Sequence, residues 1–438
     1  MKRRQRALIG VMGWILLRGW LAVPVFAQTY ANNGDPQLEA LVEEALDRNP
    51  RVRESQARYR ATMQRIPQVS ALPDPVLGAT QYIRTPETRV GPQTIMLSVS
   101  QRLPWFGKLG DQGDVAAKEA ETMHELHEVQ KAEVVRQVKQ AYYDLAYVDQ
   151  SIAITQEDQT LLEQYETLAQ TRYAQGIGLQ QAVVKIQVEI TRDQNRLEIL
   201  RRLRVDAEAA LNKLLDRPPE NPISQIGPGT RPEVELQLEQ LYAVGRGRRP
   251  EVSAAFLQIE KNEKRIDLAR RQYWPDFTLG AGLVNVGGRN DPAGLLAPPP
   301  DNGKNIYSFS VSLNLPLSRR KYDAGVLQAT EELLASREGY RDVVNETGRS
   351  IRSVEFRIRT IRDQISLFEG TLLPQAEQSL LSAEAAYTTG QLGVLDLLDS
   401  ERVLLDVRFG LSQLHSEYMK SLAEMERAIG APFPEVGP

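Results

Sequence analysis

Two periodicities divide the chain. Between 306 and 316, Tyr307, Phe309, Val311, Leu313 and Leu315 alternate with Ser308, Ser310, Ser312 and Asn314, the two-residue rhythm of a strand with one apolar and one hydrophilic side. Ile95, Leu97 and Val99 against Ser98, Ser100 and Arg102 repeat it, and 76–83 and 277–286 supply one partner strand each. Elsewhere the rhythm is helical. Residues 114–175 hold no Gly or Pro, and a helix of that length reaches about 93 Å at about 1.5 Å per residue, too long for a compact core. Within it Val134, Val138, Ala141, Leu145, Val148, Ile152 and Thr155 are spaced alternately four and three apart. Val344, Thr347, Ile351, Val354, Ile358, Ile361, Ile365, Phe368 and Leu372 do the same in the second half. That spacing is a coiled-coil seam. Return helices over roughly 179–217 and 394–429 make each rod an antiparallel hairpin, with tips near Gly176 and Gly390. Shorter helices near 37–70 and 233–272, interrupted at Pro50 and Pro250, precede the strands.

The chain repeats itself. Pro50-Arg51-Val52 returns as Pro250-Glu251-Val252, and Pro73-Asp74-Pro75-Val76-Leu77-Gly78 as Pro275-Asp276-Phe277-Thr278-Leu279-Gly280. Val99-Ser100-Gln101-Arg102-Leu103-Pro104 returns as Val311-Ser312-Leu313-Asn314-Leu315-Pro316, and Tyr173-Ala174-Gln175-Gly176 as Tyr387-Thr388-Thr389-Gly390. Four landmarks keep their order while their offset grows slowly, as loop insertions in a duplicated chain produce. The halves are 28–230 and 231–438. Loops Arg84 to Pro92 and Gly287 to Asn305 read as irregular connections between strands.

Strands of about ten residues, apolar on one side and polar on the other, suit a water-filled transmembrane barrel. A soluble sheet with one wet face is the plainer alternative. Four strands fall short of the about eight that even small barrels need, so the barrel reading requires several copies of the chain.

Composition narrows the function. The 53 basic and 57 acidic side chains give a net charge of −4, too even for a nucleic-acid binder. Absence of cysteine excludes thiol catalysis, thiolate metal sites and disulfides, and three histidines leave little for a metal centre. Met123, His124 and His127 form the one cluster of soft or imidazole ligands, and a solvated coiled-coil face accounts for it more simply than a metal site. No catalytic residue, cofactor or resident metal is expected. Lys2 to Arg6, the apolar run Ala7 to Leu17 and Val25-Phe26-Ala27 read as a secretory signal peptide over 1–27, although Arg18 interrupts its apolar region. An uncleaved anchor is the alternative. No later stretch reaches the ~18 apolar residues of a spanning helix.

Taken together, Gln101-Arg102-Leu103-Pro104-Trp105-Phe106-Gly107-Lys108, Tyr173 to Gly176, Leu211-Asn212-Lys213-Leu214-Leu215, Tyr273-Trp274-Pro275 and Leu373-Pro374-Gln375-Ala376-Glu377 followed by Tyr387 to Gly390 resemble the TolC family of outer-membrane efflux channels over nearly the whole mature chain. The Leu103 to Lys108 stretch and Leu179-Gln180-Gln181 look similar to its heavy-metal branch. The resemblance implies a mainly α fold with β: long coiled-coil hairpins, and four strands per chain in a trimeric twelve-stranded outer-membrane barrel built from two internal repeats. It implies a homotrimer in outer-membrane lipid, a periplasmic adaptor, and an inner-membrane pump of the resistance–nodulation–division type.

The family's pore narrows at the helical tips. Val394-Leu395-Asp396-Leu397-Leu398-Asp399 resembles its tip motif with two pore-facing acids. Threefold symmetry would gather six carboxylates, which attract cations and raise one another's pKa; acids in a helix's first turn stabilised by its dipole are the plainer reading. Tyr387 matches a tyrosine that holds the closed state, and the tips, with Arg172, Tyr173, Gly176 and Gly390, match the adaptor contacts. The family's gate arginine is here Leu392 and its acidic counterpart Ala182, so that salt link cannot form. The implied function is a passive exit duct. A duct for type I protein secretion and a soluble periplasmic coiled-coil adaptor are the alternatives.

Overall fold

The computed structural model of the protein describes residues 35–227, 231, 232, 234 and 237–433; the expected signal peptide lies outside them. Helices α1 (Pro36–Arg48), α2 (Pro50–Met63) and α3 (Arg65–Ser70) open the chain, and Asp35 accepts from the Gln37 and Leu38 amides to cap the first. Strands β1 (Val76–Gln81), β2 (Glu87–Thr88) and β3 (Gly91–Leu103) lead to α4 (Lys108–Ala174) and its return helix α5 (Gln180–Leu214). The order then resumes with α6 (Leu238–Arg248), α7 (Pro250–Arg271), β4 (Phe277–Val286), the short α8 (Pro292–Leu296), β5 (Ile306–Leu313), α9 (Arg319–Leu367), α10 (Leu373–Thr389) and α11 (Val394–Ile429).

Both seams are buried where the spacing placed them. Val134, Val138, Leu145, Val148 and Thr155 of α4, and Thr347, Ile351, Val354, Ile358, Ile361 and Ile365 of α9, are buried, while Ala141, Ile152, Val344, Phe368 and Leu372 are half-buried. Instead of one central core, several apolar clusters string along the rods, a small one of Ile266, Ala329 and Leu333 joining α7 to α9. Of three larger ones, one joins α1, α4 and Leu211 of α5; one joins α6, α9 and α11; the third lies in the tip half. Between α9 and α10 the rod passes through a π turn, Phe368–Leu372, just ahead of Pro374. Proline cannot donate to the preceding turn, and a widened turn absorbs the missing bond without ending the helix. No described helix is long and apolar enough to cross a membrane.

The strands form an antiparallel sheet in the order β1-β3-β4-β5, with two-residue β2 added against β3. Register turns four alternating sequences into two continuous faces. Leu77 lies opposite Val99, Val99 opposite Ala281 and Ala281 opposite Phe309, with Leu97, Leu283 and Tyr307 in the next row. The other face sets Gly78, Ser98, Gly282 and Ser308 in line. A Cβ on Gly282 would stand 2.6 Å from the Ser308 hydroxyl, so a side chain there would force that hydroxyl to turn away. The apolar face is uncovered: Tyr307 is 78% and Phe309 73% exposed.

The two strand loops are more ordered than their composition suggested. β2 pairs with Gly91 and Pro92, Gly303 donates to the Val90 carbonyl at 2.9 Å, and α8 occupies part of the long loop. At the opposite end of the sheet Asp276 is buried and accepts from Lys108 Nζ at 2.7 Å, Arg102 Nη2 at 2.6 Å and the Trp105 amide at 3.0 Å. Trp105 stacks between Trp274 and Phe277, with centroids at 4.9 and 5.6 Å. This knot ties the sheet to the start of α4.

Candidate functional site

Each tip is a reversal set by glycine. Gly176 (φ 71°) and Gly390 (φ 78°) hold left-handed conformations that a Cβ would strain. Gly178 N donates to Arg172 O at 3.0 Å, and Gln391 N to Ala386 O at 2.9 Å, closing the last turns. Tyr173 is exposed on the first tip.

Around the second tip the apolar and acidic residues part. Leu397 and Leu398 are buried in the tip cluster with Leu162, Tyr165, Ile186, Ile190 and Tyr387, whereas Asp396 and Asp399 are exposed on the other side of the first turns of α11. Three residues apart, the two acids share one helix face, which is open to solvent.

Tyr387 is buried, and burial raises its phenol pKa while Arg172 opposes the rise. The Arg172 guanidinium lies 5.2 Å from the Tyr387 ring centroid; its Nη1 donates to the Tyr387 carbonyl and to Thr388 O at 3.1 Å. Those carbonyls belong to the last turn of α10, where Tyr387 O also accepts from the Gly390 amide at 3.1 Å, so an arginine from the other hairpin adds donors at the helix end. Arg172 is thus half-buried in a link between hairpins instead of projecting freely from the tip. Leu392 joins the apolar cluster and Ala182 is half-buried, so neither offers charge at the gate positions.

Further links run between the hairpins. The Tyr165 hydroxyl of α4 donates to Glu384 of α10, Arg402 of α11 pairs with Glu189 of α5, and Lys420 of α11 lies 2.8 Å from Asp144 of α4. Sequence reading missed a cluster between them: Asp158 of α4, Asp193 of α5 and Glu401 of α11 are all buried. The signal was present, because Asp158 continues the Thr155 seam and precedes Leu162, an acid at a core position.

His127 is the correction to the solvated-face reading. It is buried against α2, with Nδ1 2.7 Å from the Ser55 hydroxyl, and burial lowers its pKa. His124 meets the Tyr59 ring edge-on at 5.2 Å. Among the described residues no three His, Asp or Glu side chains are grouped to hold a metal ion.

Long antiparallel hairpins standing on an amphipathic ribbon of strands, with acids at the far tips, define the class of outer-membrane exit ducts. The chain belongs to the outer membrane efflux protein family, whose sequence profile matches residues 41–217 and 241–431. Nodulation protein T of Rhizobium leguminosarum bv. trifolii is 22% identical over 420 residues, covering 91% of this chain and 86% of the relative. Cation efflux system protein CusC of Escherichia coli K12 is 23% identical over 428 residues, covering 92% and 90%. A crystal structure of CusC superposes with a TM-score of 0.75 at 18% identity, over 92% of this chain and 94% of that one.

The protein is therefore an outer-membrane efflux channel of the kind that serves tripartite pumps, seated in the bacterial outer membrane with its helical part in the periplasm. It is a passive channel and not an enzyme, as its family is. Channels of this class are trimeric and work with an adaptor and an inner-membrane pump, which sets aside the soluble-adaptor reading.

Proposed function

We propose that three copies, each a duplicated chain of halves 28–230 and 231–438, pool β1, β3, β4 and β5 into one twelve-stranded barrel. Its Leu97, Val99, Tyr307 and Phe309 face lies against outer-membrane lipid, and its Gly78, Ser98, Gly282 and Ser308 face lines water. The carrying observation is the sheet itself: β1 and β5 are unpaired edges flanking a continuous, uncovered apolar face. Open edges are untenable in a bilayer, and pairing β5 of one copy with β1 of the next removes them.

The hairpins continue this barrel as a periplasmic tunnel that closes at its tips. Tyr387 with Arg172 holds the closed arrangement, and Asp396 and Asp399 from three copies form an acidic mouth. Tyr173, Gly176, Gly390 and the exposed edge of Arg172 meet the periplasmic adaptor of a resistance–nodulation–division pump. Cationic cargo fits the acidic mouth and the likeness to a cation efflux system protein.

The test is conductance of the purified oligomer in a planar bilayer, wild type beside Asp396→Asn/Asp399→Asn. Cation-preferring conductance in the wild type, with preference and block by multivalent cations both weakened in the variant, is expected. A folded oligomer without conductance overturns the channel, and unchanged selectivity overturns the acidic mouth.

A further inference from the structure

The buried acids of the tip half have no place in the closure described so far. Asp158 is 8% exposed, Asp193 3% and Glu401 3%. Each occupies a seam position of its own helix: Asp158 between Thr155 and Leu162, Asp193 between Ile190 and Leu197, and Glu401 between Leu397 and Leu404. Two helices belong to the first hairpin and the third to the second, so the acids meet where the hairpins join.

We propose that Asp158, Asp193 and Glu401 form a proton-held latch that fastens α11 to α4 and α5 in acid and releases it as the protons leave.

On α5, Arg196 bonds Asp193 at 3.0 Å with its guanidinium 5.4 Å from the Phe409 ring centroid of α11, while Glu189 is engaged by Arg192 of α5 at 2.8 Å and by Arg402 of α11. On α4, Tyr165 is bonded to Glu384 of α10. Arg196 bonds the cluster and Arg402 acts on Glu401 from its bond to Glu189, so three carboxyl groups meet two cations and neutrality requires at least one proton. Asp193 Oδ2 and Glu401 Oε1 have no hydrogen-bond partner when the acids are ionised. A carboxyl proton between Asp158 and either neighbour supplies the donor that the cluster lacks.

Burial, the largest cause, holds Asp158 and Asp193 up at about 7 and raises Glu401 as well. A carboxyl group that is held above its ordinary value in the closed state binds protons there that the open state releases. Closed-state stability is therefore complete in acid, falls as pH rises from about 4, and is exhausted beyond about 7, where like charges are left buried and uncompensated.

The latch is a property of the helices and can be read without transport, so its failure and that of the channel reading are separable. Amide exchange by mass spectrometry on the membrane-embedded full chain, corrected for the intrinsic effect of pH, follows peptides over 155–165, 186–200 and 397–405. In the wild type, protection is expected to fall about tenfold between about pH 5.5 and 8. In Asp158→Asn/Glu401→Gln, or Glu401→Gln alone should the double variant not fold, the fall disappears. In Asp396→Asn/Asp399→Asn it persists. Equal protection at both pH values in the wild type, an undiminished fall in the latch variants, or its loss in the tip variant overturns the proposal.

Discussion

Arg172 of the first hairpin sits over the ring of Tyr387 of the second and donates to its carbonyl, so the two tips are joined by a cation lying between an aromatic face and a helix end. The family's own gate pair would have stood at Leu392 and Ala182, which carry no charge. The link made by Arg172 stands at the same two tips and uses backbone carbonyls as acceptors, so it does not depend on a second ionised side chain.

Arg172→Ala is expected to loosen the closed state. A partly buried cation–π contact with charge-assisted hydrogen bonds contributes about 1–2 kcal/mol, which is about five- to thirtyfold in an equilibrium. Basal conductance of the reconstituted oligomer should rise accordingly. Arg172→Lys, which keeps one donor and loses the planar stack, should fall between. Wild-type conductance in Arg172→Ala would show that the link does not hold the tips.

A second expectation concerns the joint beneath the sheet. Asp276 is buried; burial alone would raise its pKa, but Lys108, Arg102 and the Trp105 amide overcome it and hold the carboxyl at about 2. A depressed carboxyl contributes stability above its unfolded value, lost as pH falls through the folded one. Heat resistance of the oligomer should therefore hold down to about pH 4 and drop between about 4 and 2. Asp276→Asn strands Lys108 in the interior and should cost about 3–5 kcal/mol at neutral pH, where breaking a buried pair leaves one charge alone. An unchanged melting temperature at neutral pH in Asp276→Asn would contradict the joint's role.

Periodic features were legible in the sequence because burial enforces them over many turns. The seam from Val134 to Thr155 and the alternation from Tyr307 to Leu313 each repeat a spacing often enough to fix helix, strand and buried face. Asp396 and Asp399 came from the likeness of Val394 to Asp399 to a family motif, not from periodicity. What could not be read depends on long-range meetings. Arg172 looked like a projecting tip residue, since nothing local to it shows that α10 ends beside it. His127 looked solvated because α2, which buries it, lies far earlier in the chain. The acids Asp158, Asp193 and Glu401 each break a seam, but only the packed helices reveal that the breaks coincide. The π turn before Pro374 was hidden because a proline more often ends a helix than widens it.

Strands shared between copies are what closes the barrel, and disulfide trapping across the proposed seam tests this most directly. The chain has no native cysteine, so Thr80→Cys on β1 can be paired with Ser308→Cys, Ser310→Cys or Ser312→Cys on β5. Within one chain β3 and β4 separate these strands, about 14 Å at about 4.8 Å per step, beyond the about 7 Å that a disulfide spans between Cα atoms. Oxidation in membranes should yield covalent dimers and trimers on a non-reducing gel for at least one pair, and neither single variant should do so. Folded, membrane-inserted protein that stays monomeric through the whole scan would contradict the shared barrel.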